Sequence, residues 1–185
     1  MPYLPSGYVG QFVAIFYCQC DCRNCYFVNT QFVAKLVKEL YNIVMKVTKV
    51  ITNNVIETEQ FAKQFAQALT GGEVLLLHGD LGAGKTHFVK GLAVGLDIAD
   101  VITSPTFTIH NVYYGKLTLN HFDFYRIEDS MEAEMLGLSE FFGEPASVCA
   151  VEWSENIVDL LPNNCIDVTI NKLGQDQREI IISAK

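Results

Sequence analysis

The residues best equipped for chemistry lie in one run of eight, Gly79-Asp80-Leu81-Gly82-Ala83-Gly84-Lys85-Thr86. The run fits G-x-x-x-x-G-K-[ST], in which glycines let the backbone wrap around a phosphate chain with successive N–H groups pointing inward. In that chemistry Lys85 neutralises the β- and γ-phosphates, and the Thr86 hydroxyl ligates Mg²⁺. A helix opening at this point adds the positive end of its dipole. Mg²⁺ and an attacking water also call for carboxylates at the exits of neighbouring buried strands. Two stand in such positions: Glu152, ending Ser-Val-Cys-Ala-Val-Glu152-Trp153, and Asp123, within His121-Phe-Asp123-Phe-Tyr125-Arg126.

The elements that must position these groups follow from periodicity. Val74–His78 is the short apolar run expected of a strand buried on both faces. The stretch through Phe88, Leu92 and Leu96 reads as the helix leaving the loop. Ahead of them, Phe61, Phe65 and Leu69 recur every four residues beside Ala62 and Ala66, which predicts an amphipathic helix with Thr58 as its N-cap and Gly71-Gly72 as its end. Phe107–Tyr113 and Lys116–Phe124 read as strands joined by a hairpin at Tyr114-Gly115. Asp129-Ser-Met-Glu132 resembles a capping box opening a helix that runs to about Phe141. Ala146–Glu152 is a further apolar strand, and Ile166–Ile170 with Glu179–Ser183 forms a closing pair. The expectation is an α/β domain of three layers around a mixed, partly antiparallel sheet. His78 reads as a packed core residue and His87 as solvent-exposed. His110 and His121 lack metal-ligand spacing, and Phe122, Phe124 and Tyr125 read as packing residues.

Composition divides the chain in two. It has 185 residues, 18% of them charged, and a formal net charge of −8. Residues 1–44 hold four of the six cysteines but only Asp21, Arg23, Lys35, Lys38 and Glu39 as charges, whereas residues 45–185 carry ten basic and 19 acidic residues, a net of −9. A body this acidic, with Arg126 and Arg178 as its arginines, is a poor stand-alone nucleic-acid binder. The longest uncharged run, Met1–Cys20, is interrupted by Pro2, Pro5, Ser6, Gly7, Gly10 and Gln11 and makes no membrane span. No Lys or Arg precedes it, so it is no good secretory signal either. Cys149 and Cys165 need not pair, and a reducing cytoplasm is the simplest setting. Cys18, Cys20, Cys22 and Cys25 invite a zinc or iron–sulfur reading, but a second, distant pair to close a tetrahedral site is missing. A disulfide formed on handling is one alternative. The favoured reading is that residues 1–44 are an N-terminal extension, non-native or disordered, ahead of a true start at Met45. Residues 45–185 are then the functional domain, and the intact mass of the endogenous protein reads the start directly.

Taken together, four signatures resemble the TsaE (YjeE) family, bacterial phosphate-loop ATPases of tRNA threonylcarbamoyladenosine synthesis. They are Gly79–Thr86, Ser104-Pro-Thr-Phe107, His121–Arg126 and Glu152-Trp153, in the family's order, and the similarity covers 45–185 and none of 1–44. The resemblance implies a P-loop NTPase-like fold and ATP and Mg²⁺ as cofactors. It implies a nucleotide contact from Thr58, a phosphate cradle of Asp80, Leu81, Gly82, Ala83, Gly84, Lys85 and Thr86, and Thr86 and Glu152 as Mg²⁺ ligands. Asp123 would act on the γ-phosphate side through Mg²⁺ or the attacking water. Ser104, Pro105 and Thr106 match a loop that senses the γ-phosphate, and Trp153 matches a tryptophan beside the nucleotide. His87 stands where a second threonine is common, and Ser154 where proline is common.

The implied activity is ATP hydrolysis in support of a TsaD–TsaB pair, which transfers the threonylcarbamoyl group to adenosine 37 of tRNAs reading ANN codons. The acidic balance agrees with tRNA being met only through those partners. With no evident arginine finger, intrinsic hydrolysis is expected to be slow and partner-stimulated. A small-molecule kinase is the main alternative, disfavoured because such enzymes bring several arginines over the transferring phosphate. A non-hydrolysing nucleotide switch that orders Ser104–Phe107 is the other.

Overall fold

The computed structural model describes residues 47–184; the readings made above for residues 1–44 and for the start at Met45 lie outside them. The first strand, β1 (Thr48–Thr52), leads into α1 (Val55–Ala66), β2 (Val74–His78) and α2 (Lys85–Gly95). A hairpin of β3 (His110–Tyr113) and β4 (Thr118–Asp123) follows, then the short helix α3 (Ser130–Met135) and β5 (Ser147–Glu152). The chain closes with the hairpin β6 (Ile166–Lys172) and β7 (Arg178–Ala184). The seven strands form one sheet in the order β1-β7-β6-β2-β5-β4-β3. Its centre, β6-β2-β5-β4, is parallel, and both flanks are antiparallel.

Helices cover both faces, as expected for strands as apolar as Val74–His78 and Ser147–Glu152. On one side Leu75, Leu77, Val148 and Ala150 pack with Ala62, Phe88 and Leu92 of α1 and α2. On the other, Leu76, Cys149, Val151 and Phe122 pack with Ala133, Leu138 and Ile157. This is the three-layer α/β arrangement with a mixed sheet that the sequence pattern predicts. Both Cys149 and Cys165 are buried, and burial pushes the Cys149 thiol up to about 12. Among the described residues no helix is long and apolar enough to cross a membrane.

Several boundaries, and the burial of one side chain, differ from expectation. Asn54, not Thr58, is the N-cap of α1: its Oδ1 accepts the Glu57 N–H at 2.9 Å, while the Glu57 carboxylate accepts the Asn53 N–H at 2.8 Å. Asn54-x-x-Glu57 therefore satisfies the exposed helix donors, and Thr58 is buried inside the first turn, bonded to Thr52 Oγ1 at 2.8 Å. The strand expected from Phe107 begins at His110, because the Ile109 N–H closes a turn onto Pro105 O at 2.6 Å with Ile109 at φ 64°. The helix expected to reach Phe141 stops at Met135 and resumes as a 3₁₀ turn, Leu138–Phe141, beyond Gly137 at φ 69°. Tyr125, read as a packing residue, is 60% exposed, whereas Phe122 and Phe124 are fully buried.

The backbones of α1 and α2 approach each other closely. A Cβ on Gly91 would lie 2.3 Å from Glu59 O and 2.6 Å from Ala62 Cβ, and one on Gly95 would lie 2.4 Å from Lys63 O and 2.7 Å from Ala66 Cβ. Glycines facing alanines thus let α1 lie directly on the helix that leaves the phosphate loop. Gly95→Ala is expected to destabilise the fold by about 1–3 kcal/mol through overpacking, despite the roughly 1 kcal/mol that alanine gains in helix propensity. Urea denaturation of the variant against the parent measures this.

Candidate functional site

Parallel strands β4, β5 and β2 end together, and the loop after β2 curls over their C-terminal edge. In the β4–β5 register Asp123 pairs with Glu152, and in β2–β5 Leu77 pairs with Glu152. Successive strand side chains alternate faces, so Asp123, Glu152 and, two residues back, His121 share the face covered by α2. Both carboxylates are buried, at 3% and 4% exposure. Buried charges on adjacent strands require donors, and both have them. Asp123 accepts the Thr106 hydroxyl at Oδ2 and the Tyr125 N–H at Oδ1, 3.0 Å. Glu152 Oε1 lies 3.0 Å from His121 Nε2, and Glu152 Oε2 lies 3.9 Å from Lys85 Nζ. Ser104 Oγ, 2.9 Å from Thr106 Oγ1, extends the Asp123 chain into the 104–107 loop.

The loop itself is held from behind. Gly79, Gly82 and Gly84 all adopt positive φ, and Gly84 at φ 112° opens α2 with no side-chain cap. The first-turn N–H groups of an uncapped helix have no intrahelical partner and are a ready anion site. Lys85 Nζ donates to Gly79 O at 2.7 Å and Asp80 O at 3.3 Å. Lys172 Nζ donates to Leu81 O at 2.7 Å, and Arg178 Nε donates to Ala83 O at 2.7 Å. Arg178 Nη1 donates to Gly174 O, Gln175 O and Gln177 O, closing its own hairpin turn. The fold uses Arg178 to tie the β6–β7 hairpin to the loop. Arg126 lies over the Phe107 ring at 5.5 Å.

A cleft of about 470 Å³ opens above these groups, and it collects most of the residues marked in the sequence. Leu81, Gly82, Ala83, Gly84, Lys85 and Thr86 line it together with Thr58, Thr106, Asp123, Glu152 and Trp153. Asp80 contributes its carbonyl to the loop, while its exposed side chain borders a neighbouring depression with His78 and Glu155. Trp153 has φ 59°, a left-handed geometry that costs a non-glycine residue about 1 kcal/mol or more, and its ring centroid lies 4.9 Å from Lys85 Nζ. His87 also lines the cleft and bonds to Glu59 at 2.8 Å, bridging α2 to α1. His78, expected in the core, is only part-buried and pairs with Asp167 at 2.8 Å.

The donor set suits a hard divalent cation that arrives with phosphates. The Thr86 hydroxyl and the Glu152 carboxylate are oxygen ligands of the kind Mg²⁺ takes one or two at a time. Among the described residues no group of three His, Cys, Asp or Glu could hold a metal ion unaided. The spacing of His121 in the sequence points to no metal site and is silent on a carboxylate partner. The signal that finds it is the strand alternation linking it to Asp123.

A twisted mixed sheet with a glycine-rich loop over the ends of its parallel strands defines an α/β protein of the phosphate-loop class. The particular family follows from comparison. The family model "Threonylcarbamoyl adenosine biosynthesis protein TsaE" matches residues 52–180, so the chain belongs to the TsaE family. It is 48% identical over 141 residues to the tRNA threonylcarbamoyladenosine biosynthesis protein TsaE of Bacillus subtilis, covering 76% of this chain and 87% of that protein. It is 38% identical over 134 residues to the protein of the same name from Treponema pallidum, covering 72% of this chain and 98% of that one. The crystal structure of Bacillus subtilis YdiB matches with a TM-score of 0.65 and 42% identity, over 75% of this chain and 86% of that one. The resemblance read from the four motifs and the expected fold are both borne out.

Arg178 and Lys172 should govern how firmly the loop is held. Arg178→Ala removes a charged donor from Ala83 O, a contact of about 1.5–3 kcal/mol, and is expected to speed amide exchange across residues 81–84 at least tenfold. Hydrogen-exchange mass spectrometry on the parent and variant measures it.

Proposed function

We propose that this chain is a Mg²⁺-dependent ATPase of tRNA threonylcarbamoyladenosine biosynthesis, acting in the cytoplasm with the TsaD and TsaB proteins. The single observation that carries the reading is the convergence of an uncapped phosphate loop and two buried carboxylates on one cleft. In this reading the backbone N–H groups of 80–86 and Lys85 bind the phosphates, and Thr58 and Trp153 flank the nucleotide. Thr86 and Glu152 would hold Mg²⁺, which would supply charge neutralisation between the β- and γ-phosphates. Asp123, held by Thr106 and the Tyr125 N–H, would orient the attacking water, and its link to Ser104 and Thr106 would make the 104–107 loop responsive to the γ-phosphate. Lys85 now bonds to Gly79 O and Asp80 O, bonds that phosphate oxygens would replace.

The arginines speak against the kinase alternative. Arg178 is bound to four backbone carbonyls, so it is not free to sweep over a transferring phosphate as a lid residue does, and Arg126, exposed beside the Phe107 ring, is one arginine where such a lid brings several. The same fact supports slow intrinsic turnover, on the order of 10⁻³ s⁻¹ as in phosphate-loop enzymes without an arginine finger. The partner complex would complete the site. A net charge of −9 over residues 45–185 fits a subunit that meets tRNA only through TsaD and TsaB.

Phosphate release from ATP, with Mg²⁺ or EDTA and with or without TsaD–TsaB, tests the reading. Lys85→Ala is expected to lose ATP binding. Glu152→Ala is expected to keep nucleotide binding and to lose turnover about a hundredfold. Unchanged turnover in Glu152→Ala would overturn the metal assignment, and full-rate hydrolysis without partners would overturn the partner dependence.

A further inference from the structure

His121 stands out as a buried polar group with one bond and no evident packing need. Its side chain is fully buried in the middle of the sheet face beneath α2, where Leu119 and Ala150 are its apolar neighbours in pattern and register. An aliphatic residue would fill that position without burying a ring of polar nitrogens, which costs free energy unless each is bonded. Only one is. Nε2 meets Glu152 Oε1 at 3.0 Å, and Nδ1 is buried with no hydrogen-bond partner. The tautomer that fits carries its proton on Nε2 and donates it to the carboxylate, since a proton on Nδ1 would be a buried donor without an acceptor.

The register explains how the ring reaches its target. His121 is directly opposite Ala150, and Asp123 is opposite Glu152. The small Ala150 side chain leaves room for the imidazole to lean along the strand toward the diagonal neighbour Glu152, within reach of a long side chain. The two oxygens of Glu152 are thereby divided. Oε1 is held from within the core by His121, and Oε2 faces Lys85 Nζ at 3.9 Å, on the cleft side.

We propose that His121 is a positioning residue: by anchoring Oε1 it fixes the rotamer of Glu152 and presents Oε2 to the divalent cation of a bound nucleotide. The inference rests on the reading of Glu152 as a Mg²⁺ ligand. It assigns to His121 the outer-shell role in which a hydrogen bond aims a ligating oxygen, a role whose loss commonly costs ten- to a hundredfold in metal affinity or activity. The N–H donor matters here, and the ring does not: a glutamine amide carries an N–H at a similar reach from Cβ, an asparagine amide falls short, and leucine has none.

The test uses Trp153, the sole tryptophan of the chain, whose ring lines the cleft beside Lys85. Its fluorescence reports ADP binding in Mg²⁺ and in EDTA for the parent, His121→Leu, His121→Gln and His121→Asn. His121→Leu is expected to bind ADP as the parent does in EDTA and to lose about tenfold of the affinity that Mg²⁺ adds. His121→Gln is expected to recover that Mg²⁺-dependent gain to within about threefold, and His121→Asn to fail to. Should the leucine variant not fold, the Gln–Asn pair decides alone. A Mg²⁺-dependent gain retained in His121→Leu, or in both amide variants equally, overturns the proposal. An equal loss in Mg²⁺ and EDTA also overturns it and leaves His121 a packing residue. If Mg²⁺ changes ADP affinity in no variant, the parent included, the metal reading of Glu152 is what has failed.

Discussion

The structure turns on two carboxylates buried side by side. Asp123 and Glu152 are register partners on adjacent parallel strands, so their backbones are held about 5 Å apart. Both carboxylates have left water, and like charges brought close are poorly screened there. The sheet offers no other place for them, because the parallel register that brings β4, β5 and β2 to a common edge also fixes these two positions. Their surroundings answer the cost with donors: Thr106 and the Tyr125 N–H on Asp123, His121 and the more distant Lys85 ammonium on Glu152. In the proposed function a divalent cation completes that compensation.

Precision at that edge depends on elements far from it in sequence. The β6–β7 hairpin reaches the phosphate loop through Lys172 and Arg178, both bonding its carbonyls. The glycine–alanine contact between α1 and α2 lays Thr58 along the cleft wall and steadies the helix that the loop opens. Trp153, turned by its positive φ, sits against Lys85 from the opposite side. The loop is thus gripped at its carbonyl side by three basic side chains.

Much of this was legible in the chain. The phosphate loop is a contiguous pattern whose chemistry depends on local backbone geometry, and strand-end acids are visible wherever an apolar run stops at a carboxylate. What depends on pairing was not legible. That Asp123 meets Glu152, that His121 bonds Glu152 rather than any metal, and that Arg178 serves the loop as a clamp all require the register of strands separated by tens of residues. Two local errors have local causes. The apolar repeat begins just after Thr58, while Asn54 and Glu57, four and one residues earlier, carry the capping hydrogen bonds. The β3 boundary moved because the turn from Pro105 to Ile109 outcompetes strand propensity at Phe107, whose side chain is 86% exposed.

The most direct measurement of the central claim is a crystal structure of the chain with Mg²⁺ and a non-hydrolysable ATP analogue. The expected result is a phosphate chain on the N–H groups of residues 80–86, with Mg²⁺ coordinated by the Thr86 hydroxyl and the Glu152 carboxylate, and His121 still bonded to Glu152. A nucleotide bound elsewhere, or a metal that leaves Glu152 outside its coordination shell, would contradict it.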